Sequence, residues 1–293
     1  MDTPTASIIL TTFNRKKLLK RAFESAINQT YGNYEIIVVD DAGTTFPGIR
    51  KAIMSYAHGR KVKYIRHKNN KGLSAARNTG IKAAKGKYIV CLDDDNELMP
   101  EFLEYTIRHI TEDAIGVGRI IKYKKFDDYA WPHLSPFTAI DWGWLIKREV
   151  FYLTPYIQYD EKLRANEDTD FGIQFFKAHK ATTINIPLAI AYDTENSLSF
   201  PDEREIKGMY DFMNKNRKEY EGHPNETRVL LRTMGRKCYR GGYKIAGLRY
   251  FRDSFLAKPG LNSFLNLFFI LFGWYTYDKF MTVTEYVGSK VRR

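Results

Sequence analysis

Cysteine is scarce in this chain: there are two in 293 residues, Cys91 inside an apolar run and Cys238 in a basic segment. Two thiols so placed give neither a disulfide framework nor zinc-ligand spacing, which points to a reducing compartment. A charged leader followed by a long apolar core is missing too. MDTPTASIIL passes directly into strand-like residues, so no signal peptide is expected. The features of disorder are also lacking, because aromatics make up 15% of the residues and charged residues only 27%. Nor does a glycine- and lysine-rich loop follow the first apolar run, where TTFNR contributes a single arginine.

What the chain does have is KYIVCLDDDNELMP, Lys87 to Pro100. A run of strand character, Tyr88 to Leu92, leads into Asp93, Asp94, Asp95 and Asn96, crowding three carboxylates at the exposed end of a buried strand. Something cationic must hold them ionised, and a hard ion such as Mg2+ or Mn2+ that keeps places for phosphate oxygens is the usual answer. The competing reading is an acidic loop capping the next helix, with Asp95 or Asn96 as N-cap and Glu97 in the first turn.

Around this stretch, strands are expected at Ala6–Thr11, Tyr34–Val39, Val62–Arg66 and Tyr88–Leu92, and helices at 16–28, 49–57, from about Ser74 to Lys85, and 101–110. A further strand is expected at 114–123. Alternation of this kind implies a mostly parallel sheet whose ligands bind beyond the carboxyl ends of the strands. Thr12–Arg15, Asp40–Asp41 and Asp93–Asn96 all fall on that rim. Between the third and fourth strands, Lys71, Arg77 and Lys82 bring positive charge. Lys82, Lys85 and Lys87 read as a solvated face, whereas Arg77, set among Ala75, Ala76 and Ile81, reads as pointing inward. A guanidinium there suits a phosphate or nucleotide edge.

The blocks TTFNR, VVDDAGT, NNKGLSAARNTGIKAAKGKYIVCLDDDN and NEDTDF, in this order and at these separations, resemble the family 2 glycosyltransferases over roughly residues 5 to 200. The resemblance implies a GT-A fold, Rossmann-like, with a mostly parallel central sheet flanked by helices. It also implies roles for matching positions. Phe13 would stack near the nucleotide base, with Thr11 and Arg15 in the same loop. Asp40, with Asp41 beside it, would read base and ribose, and Arg77 would lie on the base or phosphate side. Asp95 would be the preferred metal ligand, and Asp93 would lie nearer the ribose or share the ion. Asp168 would be the general base, with Glu167 orienting it or bonding the acceptor. The segment holding Trp142, Gly143 and Trp144, ahead of a helix, would line the donor-sugar and acceptor pocket, although tryptophans flanking a glycine suit a core corner equally well. One departure stands out: many members carry a histidine near the place of Thr194, so that either Asp193 or Glu195 substitutes for it or the metal is held more weakly, by Asp95 and phosphate alone.

The charge is uneven. Residues 1–200 hold 28 Lys+Arg against 24 Asp+Glu, and residues 201–293 hold 18 against 10. From Arg228 to Lys258 cations interleave with aromatic and aliphatic residues, and 259–277 contains no charge. The expectation is a GT-A domain over 1–200 and a helical, basic region over 201–293. The latter would lie along an anionic membrane surface at the inner face of the membrane, ahead of a core or dimer helix or a single span, and would not bind nucleic acid. The function expected is inverting, metal-dependent transfer of a sugar from a nucleotide-sugar, UDP-linked, to a saccharide or lipid-linked acceptor. The alternatives are a nucleotidyltransferase, which would need the missing basic loop, and a non-catalytic nucleotide- or glycan-binding scaffold.

Overall fold

Strand β1 (Ala6–Thr12) is buried at every position and lies between β2 (Tyr34–Asp40) and β4 (Tyr88–Asp93), both parallel to it. The computed structural model describes residues 3–44, 48–57, 61–122, 127–130, 143–153, 157–192, 203–260, 264, 267 and 268. The chain leaves β1 through α1 (Lys16–Ile27), enters β2, and continues through α2 (Ile49–Tyr56) to β3 (Lys61–Arg66), which pairs in parallel with β2. It then crosses back through α3 (Leu73–Ala83) to β4, on the other side of β1. That reversal makes the carboxyl ends of β1 and β4 a topological switch point, where α/β sheets leave a crevice.

Both faces of β1, β2 and β4 are covered, so these strands read as continuous apolar runs, whereas β3 at the edge alternates. Alternate residues serve opposite faces. Ile8, Leu10, Val90 and Leu92 pack with Leu19 and Phe23 of α1, whereas Ile9, Ile89 and Cys91 pack with Ala76 and Ile81 of α3. Helix α3 sits very close to the sheet because its inner residues are small. A side chain at Gly80 would put its Cβ 2.3 Å from Ile9 Cγ2.

Beyond β4 the sheet changes character. A two-residue strand β5 (Glu97–Leu98) precedes α4 (Phe102–His109), followed by β6 (Ala114–Lys122), β7 (Asp127–Ala130) and β8 (Trp144–Lys147). A single 3-10 turn (Arg148–Phe151), α5 (Glu167–Phe176) and β9 (Ala181–Ala191) complete this part. The order among the described residues is β3-β2-β1-β4-β8-β6-β9-β5, with β7 on β6; β8 runs antiparallel to β4. The segment expected to lead from Trp144 into a helix therefore forms a strand and one tight turn.

The chain divides into two compact units, Met1–Ser197 and Leu198–Arg293. In the second, α6 (Glu203–Lys215) and α7 (Arg217–Glu221) precede α8 (Pro224–Arg240) and α9 (Lys244–Ala257). The last two form an antiparallel hairpin: Ser254 Oγ donates to Arg228 O at 2.8 Å, and Gly247 lies against Gly235 O and Tyr239. Gly242, at φ 88°, makes the turn between them, a conformation that costs glycine nothing.

Candidate active site

At the carboxyl ends of β1 and β4, Thr11 pairs with Asp93 across the strands and Thr12 with Asp40. The chain turns at once after Asp93, with the Asn96 N–H donating to Asp93 O. Asp94 points inward. Its Oδ2 accepts from the Thr12 hydroxyl at 2.7 Å, and its Oδ1 lies 3.2 Å from Arg15 Nη1. The same Arg15 nitrogen reaches Asp95 Oδ2 at 3.0 Å. Burial pushes the Asp94 carboxyl up to about 6, the neighbouring Asp95 and Asp93 add to the rise, and Thr12 and Arg15 work against it. Asp95 is raised too, first by burial and then by Asp93. The cation that the three carboxylates require is thus supplied in part by the protein. Arg21 braces the turn by donating from Nη2 to Asp95 O at 2.8 Å and by an ion pair of its Nε with Glu97 Oε1 at 3.0 Å, with its guanidinium 3.3 Å above the Tyr192 ring. The helix-cap reading of this loop fails, since Glu97 lies in β5 and α4 begins only at Phe102.

Arg77 is the centre of the site. Although it projects from α3, it is only 2% exposed. Its Nη2 donates to Asp93 Oδ1 at 2.9 Å and its Nη1 to Glu167 Oε1 at 3.2 Å. One guanidinium therefore joins the end of β4 to the first turn of α5, which begins 90 residues after Arg77 itself. A buried arginine with two carboxylates keeps its charge compensated, and losing any member would strand the others. The next residue of the helix, Asn78, fixes the same neighbourhood. Its amide donates to Tyr159 O and Glu161 Oε1 and accepts from Tyr159 N. Asn166, at φ 57°, turns the chain into α5, and Asp168 follows Glu167 in that first turn, accepting from Thr169 N–H at 2.7 Å.

On the β2 side, Asp40 is fully buried. It accepts from Gly43 N at 2.8 Å and the Tyr64 hydroxyl at 2.8 Å, with Arg66 Nε at 3.4 Å. Burial and that carboxylate raise the Tyr64 phenol well above its ordinary value. Asp41 takes His67 Nδ1 at 2.6 Å and the backbone N–H groups of Lys71 and Gly72 at 2.8 and 2.7 Å. Both carboxylates, expected to meet base and ribose, thus have their oxygens engaged within the protein, where they shape the loops. Phe13, by contrast, is 45% exposed just past β1.

This arrangement can be set beside known proteins. The sequence profile described as Glycosyl transferase family 2 matches residues 7–181. The chain belongs to that family. It is 36% identical over 108 residues to the putative colanic acid biosynthesis glycosyl transferase WcaA of Escherichia coli, covering 37% of this chain and 38% of WcaA. It is 27% identical over 220 residues to the uncharacterized glycosyltransferase EpsJ of Bacillus subtilis, covering 67% of this chain and 63% of EpsJ. The chain thus matches less than two thirds of the length of these relatives. Among solved structures it resembles S. aureus TarS 1-349 in complex with UDP-GlcNAc (TM-score 0.64, 16% identity, 87% of this chain and 82% of that one). It also resembles the mannosyltransferase PcManGT of Pyrobaculum calidifontis in complex with GDP-Man and Mn2+ (TM-score 0.62, 15% identity, 98% and 85%). The fold is GT-A, as the resemblance of the sequence blocks implied.

For this family 2 member the donor set suits a hard divalent ion. Asp93 and Asp95 are partly open, and Asp95 stays under-compensated despite Arg15. Two such oxygens leave most of the shell of Mg2+ or Mn2+ for phosphate and water. Asp94 does not suit, being turned inward onto Thr12. Among the described residues no group of three or more His, Cys, Asp or Glu is gathered for a metal.

One expectation is corrected outright. Trp144 is 3% exposed and packs edge-on against Phe175 and Phe176 at 5.5 and 5.8 Å, so its indole fills the core and offers no face to a sugar. Gly143 beside it is buried. Trp142, Asp193, Thr194 and Glu195 lie outside the described residues. His67 and Asn78 were not anticipated, nor was the bond from Thr12 to Asp94. Their signal is the polar residue inside an otherwise apolar face, which announces a buried hydrogen bond without naming its partner.

Proposed function

We propose that this chain is an inverting, metal-dependent glycosyltransferase that moves a sugar from a UDP-sugar to a saccharide or lipid-linked acceptor in polysaccharide synthesis. The observation that carries the reading is the Arg77 bridge between Asp93 and Glu167, which brings the acidic end of β4 against the acidic start of α5. Asp168 takes the proton from the acceptor hydroxyl, a role typically worth about 100- to 10,000-fold in rate. Glu167, held by Arg77, fixes the first turn of α5 and so the direction from which the acceptor oxygen approaches. Phe13 offers its open ring to the base, and Asp40, Asp41 and Thr11 hold the floor of the nucleoside pocket. Asp95, with Asp93, would hold the divalent cation, whose chemistry is charge neutralisation on the departing diphosphate. Attack and departure on opposite faces of the anomeric carbon invert its configuration.

Support for the donor class comes from the TarS and PcManGT complexes, which hold nucleotide-sugars, and for the pathway class from WcaA, named for colanic acid biosynthesis. A peripheral membrane location goes with it. No helix among the described residues is long and apolar enough to cross a bilayer. However, α9 presents Ile245 and Leu256, 72% and 64% exposed, on one face with Arg249 and Arg252, a pattern suited to anionic headgroups.

The test is a panel of nucleotide-sugars incubated with pure protein, with and without Mn2+, measuring released nucleotide. Release that needs Mn2+ and disappears in Asp95→Ala is expected. Release from no donor in the panel, or full release by Asp95→Ala, would sink the reading. For the location, membrane partitioning that persists after removal of residues 228–293 would rule out this anchor.

A further inference from the structure

At the opposite ends of the same strands lies a second charged feature. A cleft of about 590 Å3 opens where β1 and β4 begin, its walls including Lys85, Lys87, Lys147, Arg148, Glu149 and Tyr152. Four cations thus face one carboxylate. A six-residue strand at about 3.3 Å per residue separates this cleft from the Asp93 rim by roughly 17 Å, so the two do not share a ligand.

The sequence builds the cleft deliberately. Gly86 lies flush on the start of β1, where a Cβ would come 2.5 Å from the Ala6 carbonyl carbon. Lys85 and Lys87 therefore flank a backbone pressed against the sheet, and both side chains are left exposed. Arg148 N–H donates to Lys87 O at 2.8 Å and fixes the opposite wall. Lys147 has Asp113 within 3.8 Å, a weak partner that His179 shares. Arg148 Nε is buried and makes no hydrogen bond, while its guanidinium lies 5.6 Å from the centre of the half-exposed Tyr152 ring. A buried guanidinium donor without an acceptor is costly, so Arg148 keeps unspent hydrogen-bonding capacity in the wall of the cleft it lines.

We propose that this cleft binds a phosphate-bearing ligand of at least two negative charges, with Lys85, Lys87 and Arg148 on the phosphate and the Tyr152 ring beside whatever the phosphate carries. The phosphate belongs either to a soluble sugar phosphate or to a lipid headgroup. The full chain is titrated with inorganic pyrophosphate in EDTA at low ionic strength, which removes metal-assisted binding at the acidic rim. Binding that weakens about tenfold in Lys85→Ala/Lys87→Ala, and equally in Arg148→Gln, but is unchanged in Asp95→Ala, is expected. Because both lysines are exposed, the double variant should keep its fold, checked by an unchanged Tm. Absence of pyrophosphate binding in the unmodified chain, or loss of it in Asp95→Ala with the lysine variant intact, overturns the proposal. Sedimentation at pH 8 with vesicles containing phosphatidic acid, whose phosphomonoester carries about two charges there, against phosphatidylcholine alone, then separates the sources. If the lysine variant also loses vesicle binding the headgroup is the ligand, and if only pyrophosphate binding falls the ligand is soluble.

Discussion

The two ends of strand β4 are both highly charged and are built on opposite plans. At the carboxyl end the charges are knitted together: Arg77 holds Asp93 and Glu167, and Arg15 holds Asp94 and Asp95. At the amino end the cations of Lys85, Lys87 and Arg148 stand around open space. Knitted charges keep side chains within tenths of an ångström of a working geometry, and their removal costs stability as well as function. Open charges attract, and removing them costs affinity alone. The contrast predicts that mutations at the two ends fail in different ways.

The largest effect is expected at the knitted end from the residue with the smallest structural role. Asp168→Asn keeps the hydrogen bond from Thr169 and removes the proposed base, so turnover should fall about 100- to 10,000-fold while donor binding persists. Near-normal turnover would show the base to be another group. Arg77→Met comes next. It leaves the partly buried Asp93 and Glu167 without their cation and should cost about 2–3 kcal/mol of unfolding free energy, less than a fully buried pair because both carboxylates can rehydrate, read from denaturant midpoints at constant m-value. If that variant lost activity yet kept its stability, Arg77 would be a ligand contact and not a clasp. A smaller loss separates core from pocket on the same sheet. Trp144→Phe should cost about 1–3 kcal/mol through imperfect packing on Phe175 and Phe176, and leave the KM for the donor unchanged. A raised KM with full stability would restore the tryptophan to the sugar pocket.

Much of the knitted end was legible in the residues. The alternation of apolar runs and amphipathic helices gave β1 to β4 to within about a residue, because strands buried on both faces leave a run that nothing else explains. The inward aim of Arg77 followed from its small neighbours, Ala75 and Ala76. Its partners did not, since periodicity says which face a residue occupies and nothing about what waits there. Asp94 shows the limit most clearly. Three adjacent aspartates look equivalent in a string, yet the turn after Asp93 sends the middle one inward onto Thr12, 82 residues earlier. Trp144 was misplaced for a related reason: a tryptophan beside a glycine has the same signature in a pocket and in a core, and only the position of Phe175 and Phe176 decides. The amino-end cleft left no signal, because Lys85 and Lys87 read as a solvated face and Lys147 is remote in sequence until β4 and β8 pair and bring them together.

The smallest effect uses the two thiols to ask whether the strand that joins the charged ends opens independently of the second unit. Cys91 lies in β4 between Tyr88 and Asp93, and Cys238 is fully buried in α8. Burial pushes the Cys238 thiol up to about 11, so at pH 8 its thiolate fraction is roughly one in a thousand. Since the folded value lies above the ordinary 9.0, the folded state holds this proton more tightly than the unfolded chain. Its contribution to stability is therefore complete below pH 9 and is lost as the pH rises through 11. Native protein at pH 8 should accordingly react with a disulfide reagent only as fast as it opens. With added urea, Cys238 should label before Cys91, because a hairpin of two helices opens more cheaply than a central strand paired on both sides. Simultaneous labelling of both would mean that the two units unfold as one, and then a stability loss measured for Arg77→Met would have to be shared between them.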